Sequence, residues 1–499
     1  MTKIRALVLA LGAGLAGCAD QGAPLDPLAG TRASITAEDA GEGRYVVVFH
    51  AAQGSPKGFE ERVAALGGRV EALLEPIGGA VVAGLDQAAA AGLAASDGVQ
   101  SVGADRTFTL ESRGREESEP EVEAELASDA AITSAAAPHT SLLYSWQWNM
   151  RAVGAEAAWR AGQLGSAQVT VAILDTGIDP SGPDLAGRVD LARSRSFVAR
   201  DDSVMRVRFP TRPLVSDLEG HGTNVASQVA SNGVVLAGVT SRTTLLAVRV
   251  CSVFAGACSD ATTLQGILYA VQQGADVINL SLGGGFLKSE CHGCRALYNR
   301  VLNYAHRKGV TVVVASGNTQ SDLDHDGSFQ ANYCGLPNVL CVSATGPTAD
   351  GGGAGPFPEP DAPASFSNFG RSVIDVAAPG GNAKTVRVPS GDSTVAVTTR
   401  SFVYSLCSRT KLVYNPATGA LLPHNCSSRP TAVFLAGYQG TSQAAPHVAG
   451  LVALLVARHG RDPGLVRDVI LGSVDDLGEP GTDPFYGKGR INIPRALGL

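Results

Sequence analysis

The stretch with the clearest chemistry is Gly440-Thr441-Ser442-Gln443-Ala444-Ala445-Pro446-His447-Val448-Ala449-Gly450. A serine at the head of a helix has unpaired backbone N–H groups and the positive dipole end beside it, and both favour an anion. That suits attack on a carbonyl, whose transition state carries an oxyanion. Gly440 lets a bound backbone pass with no Cβ in the way. Beyond it, Val448, Leu451, Val452, Leu454, Leu455 and Val456 make the helix apolar all round, which predicts burial. A lone serine here reads more readily as the cap of a core helix. Catalysis therefore requires a base and an orienting acid elsewhere.

Both are present. Val169–Leu174 is a short, β-branched apolar run that predicts a buried parallel strand. Asp175-Thr176-Gly177-Ile178-Asp179 follows at its carboxyl end, where open α/β sheets keep functional residues. His221-Gly222-Thr223-Asn224-Val225-Ala226 opens a predicted helix. Singly, such an Asp is a turn former and such a His a hydrogen-bonding or capping residue. In the order Asp, His, Ser they match a known template of orienter, base and nucleophile.

With Ala315-Ser316-Gly317-Asn318 added, the sequence resembles the subtilisin-like serine proteases, the subtilases, from about Trp146 to the C-terminus. The resemblance implies an α/β fold, a parallel sheet with helices on both faces. It implies catalytic roles for Asp175, His221 and Ser442, and an oxyanion donor in Asn318. It also implies that the backbone of Ser281-Leu282-Gly283-Gly284 and of Ala315, Ser316 and Gly317 meets the substrate; a simple strand-end turn is the alternative for Ser281–Gly284. One departure is Gln443, where the family usually has Met. That change bears on packing or on the adjoining substrate pocket and removes no catalytic group.

The elements that must position these residues fit into 499 residues, room for two domains and linkers. The net charge of −7 offers no basic surface, which argues against nucleic acid as a partner. Residues 1–18 read as an export signal: Lys3 and Arg5 precede an apolar core, Ala6–Leu15, too short to span a bilayer. Leu15-Ala16-Gly17-Cys18 resembles a bacterial lipobox, with Cys18 as the lipidated residue; an ordinary signal peptide cut after Ala19 is the alternative. Residues 19–42 read as a linker.

Residues 43–110 read as strand Tyr45–Phe49, helix Phe59–Leu66, strands Arg69–Leu74 and Ala80–Leu85, helix Asp86–Ala95 and strand Val99–Ala104. This β-α-β-β-α-β order is a ferredoxin-like α+β unit. It resembles the inhibitor-type propeptide of subtilases, an intramolecular inhibitor and folding aid; an accessory binding domain is the alternative. Residues 111–140 form an acidic linker, with Glu116, Glu117, Glu119, Glu121, Glu123 and Glu125 keeping it open. The maturation cut is expected there or at the preceding strand end.

The catalytic domain spans residues 141–499. Its expected strands are Val169–Leu174, Leu245–Val250, Val277–Leu280, Val310–Ala315, Val339–Val342 and Val373–Ala377, with helices such as Ala261–Gln273 and Ala296–Lys308 between them. About residues 380–436 read as a β-rich insertion near the active-site side.

Eight of the nine cysteines lie in close pairs here: Cys251 and Cys258, Cys291 and Cys294, Cys334 and Cys341, Cys407 and Cys426. An even number in an exported chain argues for disulfides, with neighbours pairing, although sequence leaves connectivity open. The rivals are a zinc site of Cys251, Cys258, Cys291 and Cys294, and a redox pair in Cys291-His292-Gly293-Cys294. Asp322, Asp324 and Asp326 have calcium-loop spacing, but Tyr333 stands where an EF-hand loop wants Glu. A solvated acidic loop is the alternative.

These readings describe a serine endopeptidase made as a self-processing zymogen. It would be exported from a bacterial cell to an extracellular, periplasmic or lipid-anchored place, and would act as a monomer on polypeptides. Catalysis needs no cofactor; calcium would be structural. A binding protein that keeps the fold without turnover, and an acyl-transfer enzyme for ligation or ester hydrolysis, are the rival classes.

Overall fold

The computed structural model describes residues 43–109, 121–124 and 137–499, apart from residues 255, 284–285, 288–291, 331–332, 350–354, 391–392, 416 and 429–432. Cys18, Gly284 and Cys291 lie outside the described residues, as do the export signal, the 19–42 linker and most of the acidic linker.

Seven parallel strands form the central sheet, in the order Val376–Pro379, Val339–Thr345, Thr311–Ala315, Val277–Leu280, Thr170–Asp175, Thr244–Arg249 and Arg195–Ser196. The central runs are largely apolar because both faces are covered. Successive residues point to opposite faces. Val171 and Ile173 join one core with helices His221–Val229 and Thr441–His459. Ala172 and Leu174 join the other, with helices Asp260–Gln272 and His292–Arg307. From Thr170–Asp175 the chain builds first toward Thr244–Arg249 and then returns to build from Val277–Leu280 outward. That reversal marks the crevice at the strands' carboxyl ends where α/β sheets bind ligands.

Two features beside the central sheet differ from expectation. The edge strand begins at Val376 rather than Val373, because Gly370–Ile374 closes a turn through Ile374 N–H to Gly370 O, 3.0 Å. Helix Ala199–Arg208 and edge strand Arg195–Ser196 carry no apolar periodicity, and only Asp201 and Met205 of that helix are buried.

The N-terminal unit is a four-stranded antiparallel sheet, ordered Arg69–Leu74, Gly79–Ala83, Tyr45–Phe49, Val99–Ala104, with helices Phe59–Ala65 and Gln87–Ala94 on one face. This is the ferredoxin-like order. Alternation again decides the packing: Val47 and Phe49 face the unit's own helices, while Val46 and Val48 pack into the second core of the large domain. Past the sheet, Thr107–Thr109 pairs antiparallel with Ala257–Ser259. The stretch expected to be open throughout contributes a four-residue strand, Glu121–Ala124, paired with Val433–Ala436.

Disulfides join Cys251 to Cys258, Cys334 to Cys341 and Cys407 to Cys426. Cys251 and Cys258 sit directly opposite in an antiparallel hairpin, so they bond each other and are unavailable as zinc thiolates. The partner of Cys294 would be Cys291, outside the described residues.

Candidate active site

Asp175 ends its strand, and His221 opens its helix one step away. His221 Nδ1 lies 2.8 and 3.0 Å from the two Asp175 carboxylate oxygens. Both side chains are buried. Asp175 Oδ1 also accepts the Thr176 N–H at 2.7 Å, which fixes the carboxylate. Gly222 lets the helix approach: a Cβ there would stand 2.1 Å from Gly177 O.

The turn before His221 is held by acids that sequence reading did not single out. Asp217 accepts the N–H groups of Glu219, Gly220 and Thr223 and the Thr223 hydroxyl, at 2.7 to 3.0 Å. Glu219 Oε2 accepts the His221 N–H at 2.7 Å. The signal was their spacing before a helix start, where acids cap orphan N–H groups. Burial pulls the His221 pKa down, but the carboxylates of Asp175, Glu219 and Asp217 outweigh it and hold it raised to about 9.

Ser442 lies in the first turn of helix Thr441–His459. Its hydroxyl donates to Ser281 O at 3.1 Å. Pro446 lacks the N–H that would close the helical bond to Ser442 O. That carbonyl instead accepts the Ser281 hydroxyl at 2.7 Å, so Ser281 grips Ser442 twice. Asn318 Oδ1 accepts both the N–H and the hydroxyl of Thr441, at 2.8 and 3.0 Å. With the oxygen so held, the amide nitrogen is turned toward Gly440: a Cβ on Gly440 would stand 3.1 Å from Asn318 Nδ2.

Ala315 ends a central strand; Ser316 and Gly317 follow, and Gly317 N–H donates to Thr441 Oγ1 at 2.9 Å. Ser281, Leu282 and Gly283 are all buried. Gln443 reaches across to the histidine helix, its amide 3.3 Å from Asn224 Oδ1.

The acidic loop does not gather its carboxylates. Asp322 pairs with His325 Nδ1 at 2.8 Å, and Asp324 accepts the Ser372 hydroxyl at 2.6 Å. Asp322, Asp324 and Asp326 do not bring three carboxylate oxygens close to one another. Among the described residues the ligand cluster that does converge is Cys407, His424 and Cys426, and its two cysteines are bonded to each other. No helix among the described residues is long and apolar enough to cross a membrane.

A family model described as the subtilase family matches residues 166–489. Thermitase of Thermoactinomyces vulgaris is 30% identical over 363 residues, covering 72% of this chain and 99% of thermitase. A thermophilic serine proteinase of Bacillus sp. (strain AK1) is 31% identical, covering 72% of this chain and 69% of that protein. The structure of the epidermin leader peptide processing serine protease of Staphylococcus aureus superposes with a TM-score of 0.63 at 20% identity, over 91% of this chain and 98% of that one. That likeness concerns the fold.

Proposed function

The chain belongs to the subtilase family and is a subtilisin-like serine endopeptidase, and from that premise we propose that Ser442, His221 and Asp175 are its nucleophile, base and orienter. The observation that carries the assignment is the buried Asp175–His221 Nδ1 contact of 2.8 Å. It leaves Nε2 as the ring's working nitrogen. The Ser442 hydroxyl leaves Ser281 O and turns to that nitrogen, which takes its proton as the oxygen attacks the peptide carbonyl. Asp175 stabilises the imidazolium so formed and does not itself take the proton. Asn318 Nδ2 and the Ser442 N–H receive the oxyanion. His221 then protonates the leaving amine, and water releases the acyl group from Ser442 by the same steps in reverse. Gly283 and Ser316–Gly317 offer backbone to an extended substrate, whose strand-like pairing supplies affinity.

We further propose that residues 43–110 are an inhibitory propeptide, because Thr107–Thr109 already lies as a strand along Ala257–Ser259. The protein is then a zymogen that cuts itself beyond Thr109. Export, with or without lipid on Cys18, follows from the N-terminal sequence.

Intact mass spectrometry of the exported chain beside Ser442→Ala tests this. The wild type is expected to lose its N-terminal unit and the variant to keep it. Identical processing of both chains, together with equal peptide turnover, would overturn the assignment of Ser442. The mass of the released fragment also reports lipid on Cys18.

A further inference from the structure

The insertion touches the site in a particular way. Five consecutive residues, Ser408 to Leu412, begin one residue past the Cys407–Cys426 disulfide, which fixes where they start. The Ser408 and Thr410 hydroxyls both donate to Asp217 O, at 2.5 and 2.7 Å. Leu412 N–H donates to Leu218 O at 2.7 Å. Arg409 N–H donates to Asp179 Oδ2 at 2.6 Å, and Asp179 belongs to the loop that follows Asp175. Ser408, Thr410 and Leu412 are buried.

One segment therefore bonds the loop before His221 and the loop after Asp175. The loop after Asp175 leaves a strand end, the loop before His221 follows helix Ala199–Arg208, and the two share few backbone bonds with each other. Asp217 is also the residue whose carboxylate gathers the turn leading into His221, so its carbonyl is a lever on the base.

We propose that Ser408–Leu412 is a positioning segment for His221, acting through the carbonyls of Asp217 and Leu218 and anchored on Asp179. The proposal rests on the reading of His221 as the base. It assigns to the insertion a part in turnover beyond shaping access. None of its residues touches the reacting atoms. It sets where the imidazole and its neighbouring carboxylates stand. The charged and titratable groups around the ring are Asp175, Asp217 and Glu219 from the core, and Tyr438 with Lys411 from the insertion side. A shift of the turn moves Asp217 and Glu219 relative to the ring, so the pH profile reports the shift.

The test uses the full-length protein after activation, with four chains: wild type, Thr410→Ser, Thr410→Val, and Ser408→Ala/Thr410→Val. Misplacing a reacting group by about 1 Å costs about a hundredfold, so a partial shift is expected to lower kcat about tenfold in the double variant. KM is expected to stay within about twofold, since substrate backbone meets other residues. The acid limb of kcat/KM is expected to move to lower pH, as the carboxylates draw away from the ring. Thr410→Ser keeps the hydroxyl and is expected to match wild type, which separates bonding from packing. If the double variant fails to fold, Thr410→Val against Thr410→Ser makes the same comparison.

Unchanged kcat and pH limb in folded Thr410→Val and in the double variant would overturn the inference. So would a loss shared equally by Thr410→Ser. Labelling by a fluorophosphonate, which needs an activated serine, is run in parallel. A wild type that neither labels nor cleaves peptide would instead overturn the reading of His221 on which the inference stands, and the inference would fall with it.

Discussion

Asn318 is where a single side chain carries the most assignable energy. Its oxygen is committed to Thr441 at 2.8 Å, so its nitrogen has one direction left. Removing one such donor typically costs ~3–4 kcal/mol of transition-state stabilisation. Asn318→Ala is expected to lower kcat about a hundredfold or more with little change in KM, measured on a peptide substrate. The other prediction at this scale concerns protons. His221 is raised to about 9, so its protonated, inactive form persists through neutral pH. Activity should climb with pH across the neutral range and level off only above about 9. Glu219→Gln removes one of the charges that hold it up and should bring the limb down. A limb at the ordinary imidazole value in the wild type would contradict the electrostatic account.

Helices and strands set the next level. Helix His221–Val229 can approach the Asp175 loop only because residue 222 has no side chain. Gly222→Ala would meet Gly177 O, a backbone atom that cannot yield, and would push His221 from Asp175. A loss of about a hundredfold in kcat is expected, with circular dichroism to check that the fold survives. The serine helix carries a second buried imidazole. His447 Nδ1 faces Gln443 O at 2.8 Å, and its Nε2 faces the Asn149 amide at 2.9 Å, so the ring is neutral. Burial lowers its pKa from the ordinary 6.5 to about 4. The unfolded chain therefore binds the extra proton first. This contribution is complete above about pH 6.5 and is lost as pH falls through about 4, amounting to ~3 kcal/mol in all. Urea titrations between pH 7 and 4 should show that slope in the wild type and a shallower one in His447→Gln.

Across the whole molecule, two units share one core. Arg300, on helix His292–Arg307, donates to the carbonyls of Phe49 and Gly78 at 3.0 Å and to Ile77 O at 3.3 Å. Arg106 pairs with Asp260 at 2.7 Å, and Asp105 accepts the Ala261 N–H at 2.8 Å, capping the helix the N-terminal sheet rests on. In the uncut Ser442→Ala chain, Arg300→Ala is expected to weaken docking of the N-terminal unit by ~1.5–3 kcal/mol, the range for hydrogen bonds to a charged group. Faster hydrogen exchange across Tyr45–Phe49 would register it, and unchanged exchange would refute it.

Sequence by itself determined the elements whose signal is local. Runs such as Val169–Leu174 and Val277–Leu280 read as buried strands because apolar and β-branched residues dominate them, with Thr170 and Asn279 the polar exceptions. The Asp, His and Ser blocks were legible because each sits at a strand end or helix start, a place readable from its own neighbours. The β-α-β-β-α-β order of the N-terminal unit was legible for the same reason. Only the tertiary structure decided what depends on distant chain meeting. Ser281 matters through the Ser442 carbonyl, 161 residues away in the chain, that Pro446 leaves unbonded. Asp322 and Asp324, close in sequence, turn to different partners. Ser408 and Thr410 are unremarkable until the insertion lays them on Asp217, 191 and 193 residues earlier in the chain. Spacing along a chain reports what one element presents; which elements meet is set by the packing of both sheet faces, and no single segment carries that information.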